Sequence, residues 1–399
     1  MRILHTADWH LGKNLESFSR LEEQKMFIDE LADICDKNNV DIIIVAGDIY
    51  DTSNPPAKAE ELFYKGLRKL SKDGMRPVVI IAGNHDSPNR IMVSNPIIEN
   101  YGILLLGDSK EIVKIKKHNG FSVVDSGEGY FEINKNDENI VILAIPYLSE
   151  KNLDELISET IEEKEFQKNY SDKVKYILES NSCKFRDDTI NIVTGHFFVL
   201  GGENSGSERN IQIGGSYAVN GDAFPKKAQY VALGHLHRVQ SVKTNSELAY
   251  YSGSPIQYSK SEAYNSKCVI LADIVSGKKA DINKVYLSNY KPVEVWKAES
   301  IETAIKMCHD KRNENCYVFL DIMCDRVLMQ SEIKKLHSYK KDIVEIQAIF
   351  EDNKNEFFEY ETEEKSLKEQ FENFYFSCKN VMPSKESVDL FLSVAENYD

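Results

Sequence analysis

Short apolar runs alternate with amphipathic stretches along this chain. Six runs rich in β-branched residues, at 2–5, 41–46, 78–82, 140–145, 190–194 and 230–233, each end in glycine or a polar cluster. Their length and flanks mark them as strands. They are apolar without alternation, the pattern of strands buried on both faces. Over 20–37, Phe27, Leu31 and Ile34 recur at i, i+4 and i+7, and over 57–72 Leu62, Leu67 and Leu70 repeat after the stop at Pro55-Pro56. Both patterns predict helices with one apolar face. Strands alternating with helices predict an α/β fold whose sheet is covered by helices.

The pattern changes further along. Residues 150–188 are charged and helix-like, and 201–221 are rich in Gly, Ser and Asn and predict a long loop. After Pro292 a strand from Val293, a helix over 301–309, a strand over 316–322, a helix near 333–339 and a strand over 344–349 make a small α+β unit. From 351 the chain is acidic and helix-prone. Leu367, Phe371, Phe374 and Cys378 follow helical spacing, and Pro383-Ser384 restart a helix carrying Val388, Phe391 and Leu392. The division is therefore 1–285, 286–350 and 351–399. The last segment is too short for a good core of its own, so its aromatic residues need either a partner or the chain's own larger domain.

Composition narrows the class. A chain of 399 residues with 42% hydrophobic and 10% aromatic residues is not largely disordered and suits two or three domains. The longest apolar runs are strand-sized, far below the ~18 residues of a membrane span. Met1 runs straight into a predicted strand, so no signal peptide is expected. Seven scattered cysteines without C-x-x-C suit reduced thiols in a cytoplasm. The net charge of −15 argues against a wholly basic nucleic-acid binder. That charge is uneven, since 351–399 hold five basic and 13 acidic side chains.

The candidate chemistry sits where the strands end. The motifs are Asp8-Trp9-His10, Gly47-Asp48-Ile49-Tyr50-Asp51, Gly83-Asn84-His85-Asp86, Thr194-Gly195-His196 and Gly234-His235-Leu236-His237, each just after a predicted strand. The carboxyl ends of strands are where an α/β fold builds its site. In extended backbone, residues two apart point the same way, so Asp8 with His10, and His235 with His237, can serve one site. The preceding Gly47, Gly83, Gly195 and Gly234 suit tight turns. Asp, Asn and neutral His without thiolate suit Mn²⁺, Mg²⁺, Fe or Zn²⁺. Two such ions ~3.5–4 Å apart activate water and stabilise an in-line displacement at phosphorus. Asp48, at the end of a central strand, is the natural bridging carboxylate. His5, His118, His309 and His337 lack this context and read as structural or surface residues. Neither a Walker motif nor a G-x-S-x-G elbow occurs.

The ordered set D-x-H, G-D-x-x-D, G-N-H-D, G-H and G-H-x-H resembles the calcineurin-like metallophosphoesterase superfamily. The flanks His5–Gly12, Gly47–Asp51 with Pro55-Pro56, and Ala82–Ser87 resemble its DNA-nuclease branch. So do Ser207-Glu208-Arg209, Ile213-Gly214-Gly215 and Tyr251-Ser252-Gly253-Ser254-Pro255. The resemblance implies a metallophosphoesterase β-sandwich flanked by helices (1–285), a small α+β capping domain (286–350) and a helical partner-binding tail (351–399). It implies that Asp8, His10, Asp48 and His237 hold one divalent ion and Asp48, Asn84, His196 and His235 the other, with Mn²⁺ ahead of Mg²⁺. His85 would be the catalytic histidine at the scissile phosphate. Asp86 would either orient His85 or cap a turn. Some relatives carry His where Asp51 stands. The implied activity is double-strand 3'-5' exonuclease and single-strand or hairpin endonuclease on DNA, in end processing, repair and recombination. The implied partner is a coiled-coil ATPase docking on the C-terminal helices. A homodimer is also implied, for which Ile97, Ile98 and Tyr101 are candidate contacts unless they are core. The alternative is a small-molecule or phosphoprotein phosphoesterase on the same fold, and less fitting is a non-catalytic scaffold.

Overall fold

The computed structural model describes residues 1–148, 170–208 and 218–350, together with 368, 371, 375, 383 and 385–395. Five strands carry the site: β1 (Arg2–Thr6), β2 (Ile42–Ala46), β3 (Val78–Ile81), β4 (Ile190–His196) and β5 (Tyr230–Gly234). They belong to two sheets. In the six-stranded sheet β1, β2 and β3 are parallel neighbours, with Ile103–Leu106 beyond β3 and the antiparallel pair Cys268–Asp273 and Asp281–Tyr286 beyond β1. In the eight-stranded sheet Glu138–Ile145, β4 and β5 run parallel, flanked by hairpins on either side.

The missing alternation now has its cause. Successive side chains of a strand point to opposite faces, and here both faces are apolar. Ile42 and Ile44 of β2 join Ile140, Ile142, Ile192 and Ala232 in the core between the sheets. Ile43 and Val45 point the other way, against helices α1 (Leu21–Lys37) and α2 (Ala57–Ser71), which supply Phe27, Leu31, Phe63 and Leu67. On the outer face of the second sheet, Val193 and Leu233 pack with Val174 and Leu178 of the helix Tyr170–Ser182. The result is a β-sandwich flanked by helices. It places the carboxyl ends of all five site strands at one rim. Strand–helix alternation by itself pointed to one covered sheet, while the family resemblance implied this sandwich; the second sheet arises because β4 and β5 pair with Glu138–Ile145 rather than with β1–β3.

The small unit after Pro292 forms a three-stranded sheet from Val293–Ala298, Tyr317–Cys324 and Ile343–Phe350, with helices Ile301–Asp310 and Gln330–Tyr339. It lies within one compact unit, Met1–Ile349. Arg20 ties it to the main body, with its guanidinium 4.8 Å from the Tyr317 ring centre and donating to the Lys291 carbonyl. In the second unit, Phe350–Asp399, helix Lys385–Ala395 presents Phe391 to Phe371, the rings stacked at 4.1 Å. Leu367, Phe374 and Cys378 lie outside the described residues, as do 149–169, Arg209 and Ile213-Gly214-Gly215.

Of the candidate dimer contacts, Ile98 is 6% exposed and packs in the helix-side core with Tyr101 against it, whereas Ile97 is 67% exposed, as Val93 four residues earlier is too. Ile98 is thus core, because the short helix Asn95–Ile98 turns it inward.

Candidate metal centre

The loops after β1 and β2 run side by side. Asp8, His10 and Leu11 donate their N–H groups to the Gly47, Asp48 and Ile49 carbonyls at 3.0, 3.0 and 2.8 Å. Asp8, His10, Asp48 and His235 all have left-handed backbone, with φ of 54°, 45°, 51° and 103°. The first two therefore converge by a folded loop, not by strand alternation. Left-handed backbone at non-glycine residues costs about 1–3 kcal/mol each and is concentrated at functional sites. Of the glycines preceding the motifs, Gly47 has φ +92°. Gly234 serves a different need: a Cβ there would run into the Ala46 carbonyl oxygen.

All seven candidate ligands come together, and six of them are buried. His10 Nε2 and His237 Nε2 face each other at 3.0 Å. Asp48 Oδ2 lies 3.7 Å from His10 Nε2 and 3.5 Å from His196 Nε2, so one carboxylate oxygen looks toward both halves of the cluster. In the second half, Asn84 Oδ1 is 2.9 Å from His196 Nε2 and 3.2 Å from His235 Nδ1. Asp8 Oδ1 accepts the His235 N–H at 2.9 Å, while its buried Oδ2 has no hydrogen-bond partner. The atoms behind the ligands fix their orientation. His196 Nδ1 lies 2.8 Å from the Ala46 carbonyl, and Asp48 Oδ1 accepts the His85 N–H at 2.9 Å.

This donor set fits divalent ions. Nitrogens each about 2.0–2.1 Å from one ion stand about 3–3.4 Å apart, as the His10 and His237 Nε2 atoms do. The orphaned Asp8 Oδ2 is a buried acceptor that a cation would satisfy. The electrostatics point the same way. Burial pushes Asp8 up to about 7, against the pull of His196 and His237. Burial likewise works to raise Asp48, but His196 and His10 hold it well below the usual carboxylate range. Burial opposes protonation of His196, yet the Asp48 carboxylate drives it up to about 9. His235 is pushed down to about 3 by burial. So many titratable groups in one dry cluster compete for too few protons, which bound cations would replace.

Beside the ligands an open cleft of about 520 Å³ is lined by Asp51, Asn84, His85, Ser207 and Glu208 among others. His85 is half-buried, with its ring 4.8 Å from that of His10. Its Nδ1 donates to the Asp51 carbonyl at 2.7 Å. Asp86 is therefore not its orienting carboxylate. The two Asp86 oxygens accept N–H bonds from Gly83 (2.8 Å), Tyr50 (2.9 Å) and Ile49 (3.1 Å), which clamps two motif loops together. Geometry explains this, since a carboxylate committed to three backbone donors has turned away from the ring beside it. A backbone carbonyl in the orienting role leaves no trace in a sequence. Glu208, in one of the flanks that carry the resemblance, accepts the His237 N–H at 2.9 Å; equally silent in the sequence was Glu262, whose Oε1 lies 3.4 Å from His237 Nδ1.

The other histidines are structural or peripheral. His5 is wholly buried between the Tyr230 hydroxyl (2.9 Å) and the Leu233 carbonyl (3.1 Å). His118 stacks on Phe121, His309 meets the edge of Tyr339, and His337 is exposed.

Strands, rim and ligand cluster together define a metal-dependent phosphoesterase centre, and comparison with known proteins agrees. A sequence profile of the calcineurin-like phosphoesterases matches residues 1–239. The SbcD component of the SbcCD nuclease from Bacillus subtilis (strain 168) is 38% identical over 402 residues, spanning 100% of this chain and 99% of its own length. The SbcD component from Escherichia coli (strain K12) is 32% identical over 341 residues, spanning 81% of this chain and 77% of its own. The chain belongs to the calcineurin-like phosphoesterase family, in the branch that holds the SbcD proteins. That family membership makes it a metal-dependent phosphodiester hydrolase.

Proposed function

We propose that this chain is a two-metal DNA nuclease that works with an SbcC-like coiled-coil ATPase in DNA end processing, repair and recombination. The observation that carries the reading is Asp48 Oδ2, poised between His10 and His196, with His85 beside it at an open cleft. Asp8, His10, Asp48 and His237 would hold one ion, and Asp48, Asn84, His196 and His235 the other. Such a pair, Mn²⁺ in preference to Mg²⁺, would supply a Lewis acid for the phosphoryl oxygens and would lower the pKa of water. His85 then acts at the leaving oxygen. With Nδ1–H held by the Asp51 carbonyl, Nε2 is the ring nitrogen left to contact the phosphate, and a ring protonated at both nitrogens would give its Nε2 proton to the leaving oxygen.

The reading extends to 3'-5' exonuclease and single-strand or hairpin endonuclease activities on DNA, as the motif resemblance implies. It also divides the chain into a nuclease domain (1–285), a capping domain (286–350) and a partner-binding tail (351–399). The tail would dock on the ATPase through its helices, where Phe371 and Phe391 already pair and Leu390 is 67% exposed. Dimerisation into an SbcC₂D₂-type heterotetramer would use the exposed Val93 and Ile97. Among the described residues no helix is long and apolar enough to cross a membrane, and the described cysteines are free thiols, which suits work in the cytoplasm. With a net charge of −15, the chain alone should bind DNA weakly and in a salt-sensitive way.

The deciding assay gives the purified chain Mn²⁺ and offers linear duplex DNA beside p-nitrophenyl phosphate. Degradation of DNA is expected. Turnover of the small ester with intact DNA would establish the phosphatase reading instead.

A further inference from the structure

Behind His237 lies a buried acid–base pair outside the seven ligands. Glu262 is fully buried, and the Lys267 side chain is 8% exposed. The Lys267 ammonium binds Glu262 Oε2, and reaches the Ser254 hydroxyl at 2.7 Å and the His237 carbonyl at 3.1 Å. Ser254 Oγ is also 3.1 Å from Glu262 Oε2. Glu262 Oε1 is left facing His237 Nδ1 at 3.4 Å, a nitrogen that also meets the Ser207 hydroxyl at 2.8 Å. A hydroxyl can give or take a proton, so Ser207 alone leaves the tautomer of His237 open. A carboxylate only accepts. Glu262 therefore favours the proton on Nδ1, which leaves the Nε2 lone pair directed at His10 and the ion site.

The turn that carries Glu262 is gripped from its other side by the small sheet. Lys260 donates to Asp321 Oδ1 at 2.7 Å and Gln347 Oε1 at 3.0 Å, in the strands Tyr317–Cys324 and Ile343–Phe350. Gln257, also buried, donates to the Glu262 carbonyl at 3.1 Å and accepts the Val293 N–H at 2.8 Å. All three strands of the small sheet thus touch this one turn or its lead-in.

We propose that the turn 259–262 couples the small sheet to the metal centre, with Glu262 as the positioning residue for His237 and Lys260 as the anchor on the sheet. A displacement of the small sheet would move the turn, and with it the ring that faces His10. This rests on the metal-centre reading above.

Mn²⁺ titration of the full chain by calorimetry tests it, alongside the melting temperature of the metal-free protein. The double variant Glu262→Gln/Lys267→Met removes both charges together and leaves no buried ion unpaired. It is expected to weaken Mn²⁺ binding about 10- to 100-fold. Lys260→Met, at a partly exposed position, keeps the test alive if the double variant does not fold, and is expected to weaken binding about 2- to 30-fold. A purely structural ion pair would lower only the melting temperature, so wild-type Mn²⁺ affinity in either folded variant overturns the proposal. Asp48→Asn separates the two levels. If it binds Mn²⁺ normally, the metal-centre reading itself fails; if it loses Mn²⁺ while the turn variants do not, only the coupling fails.

Discussion

His10 and His237, 227 residues apart in the chain, point their Nε2 atoms at each other across 3.0 Å. As a hydrogen bond this contact needs the proton on one ring. As two lone pairs it needs a cation between them, and the orphaned Asp8 Oδ2 beside them has the same need.

Asp48 serves both halves of the cluster through one oxygen. Asp48→Asn is therefore expected to reduce Mn²⁺ binding from two ions per chain to one or none, measured by metal analysis after dialysis. His237→Ala should spare the ion on the Asn84 side. Two tightly held ions in the Asp48 variant would contradict the bridging role.

His85 lies outside the ligand set, oriented by the Asp51 carbonyl. His85→Ala should retain Mn²⁺ and lose DNA cleavage by about 10²-fold or more, the scale of a positioned general acid. Asp86→Asn should behave differently. It turns one of the two accepting oxygens into an NH2 donor, so either the Tyr50 bond or the Gly83 and Ile49 bonds are lost, and the melting temperature should fall by the equivalent of about 1–3 kcal/mol for buried donors left unpaired. A variant at Asp86 with full stability and no activity would restore it to the catalytic machinery.

Gly47 and Gly201 are matched in backbone, with φ of +92° and +96°, but not in surroundings. A Cβ on Gly47 would collide with the His196 ring, whereas one on Gly201 meets nothing within 4 Å. Gly201→Ala should cost only the left-handed backbone, about 1–2 kcal/mol. Gly47→Ala should cost more and also displace His196. Comparison of urea unfolding and Mn²⁺ affinity for the two variants isolates the collision.

His5 supplies a pH dependence away from the ligands. Burial pushes its pKa down from 6.5 to about 3, against the opposing pull of the Leu233 carbonyl. Between those values the unfolded chain binds a proton that the folded chain refuses, so stability falls as pH drops below 6.5. The slope approaches about 1.4 kcal/mol per pH unit for this one group. His5→Gln, studied metal-free, should be less stable than wild type at pH 7 and lose part of that deficit by pH 5.5. A deficit that stays constant with pH would show that His5 is not held neutral.

Much of this was legible in the sequence because it is written locally. Period and flanks placed α1 at Leu21–Lys37 and α2 at Ala57–Ser71 within a residue of where they lie. Apolar runs on both strand faces announced a sheet with a layer on each side. Residue types just after those runs marked the five motifs, since a strand end needs no distant information to be recognised, and the family resemblance singled out seven candidate ligands among them. What the tertiary structure alone decided are relations between segments far apart in the chain. These include which strands pair within each sheet, the left-handed loops that aim Asp8 and His10, and the three backbone donors that occupy Asp86. They also include the carbonyl that orients His85, and Glu262 behind His237. None has a local signature, because a backbone acceptor is the same atom in every residue. A buried carboxylate acquires its role only from the groups that folding brings to it.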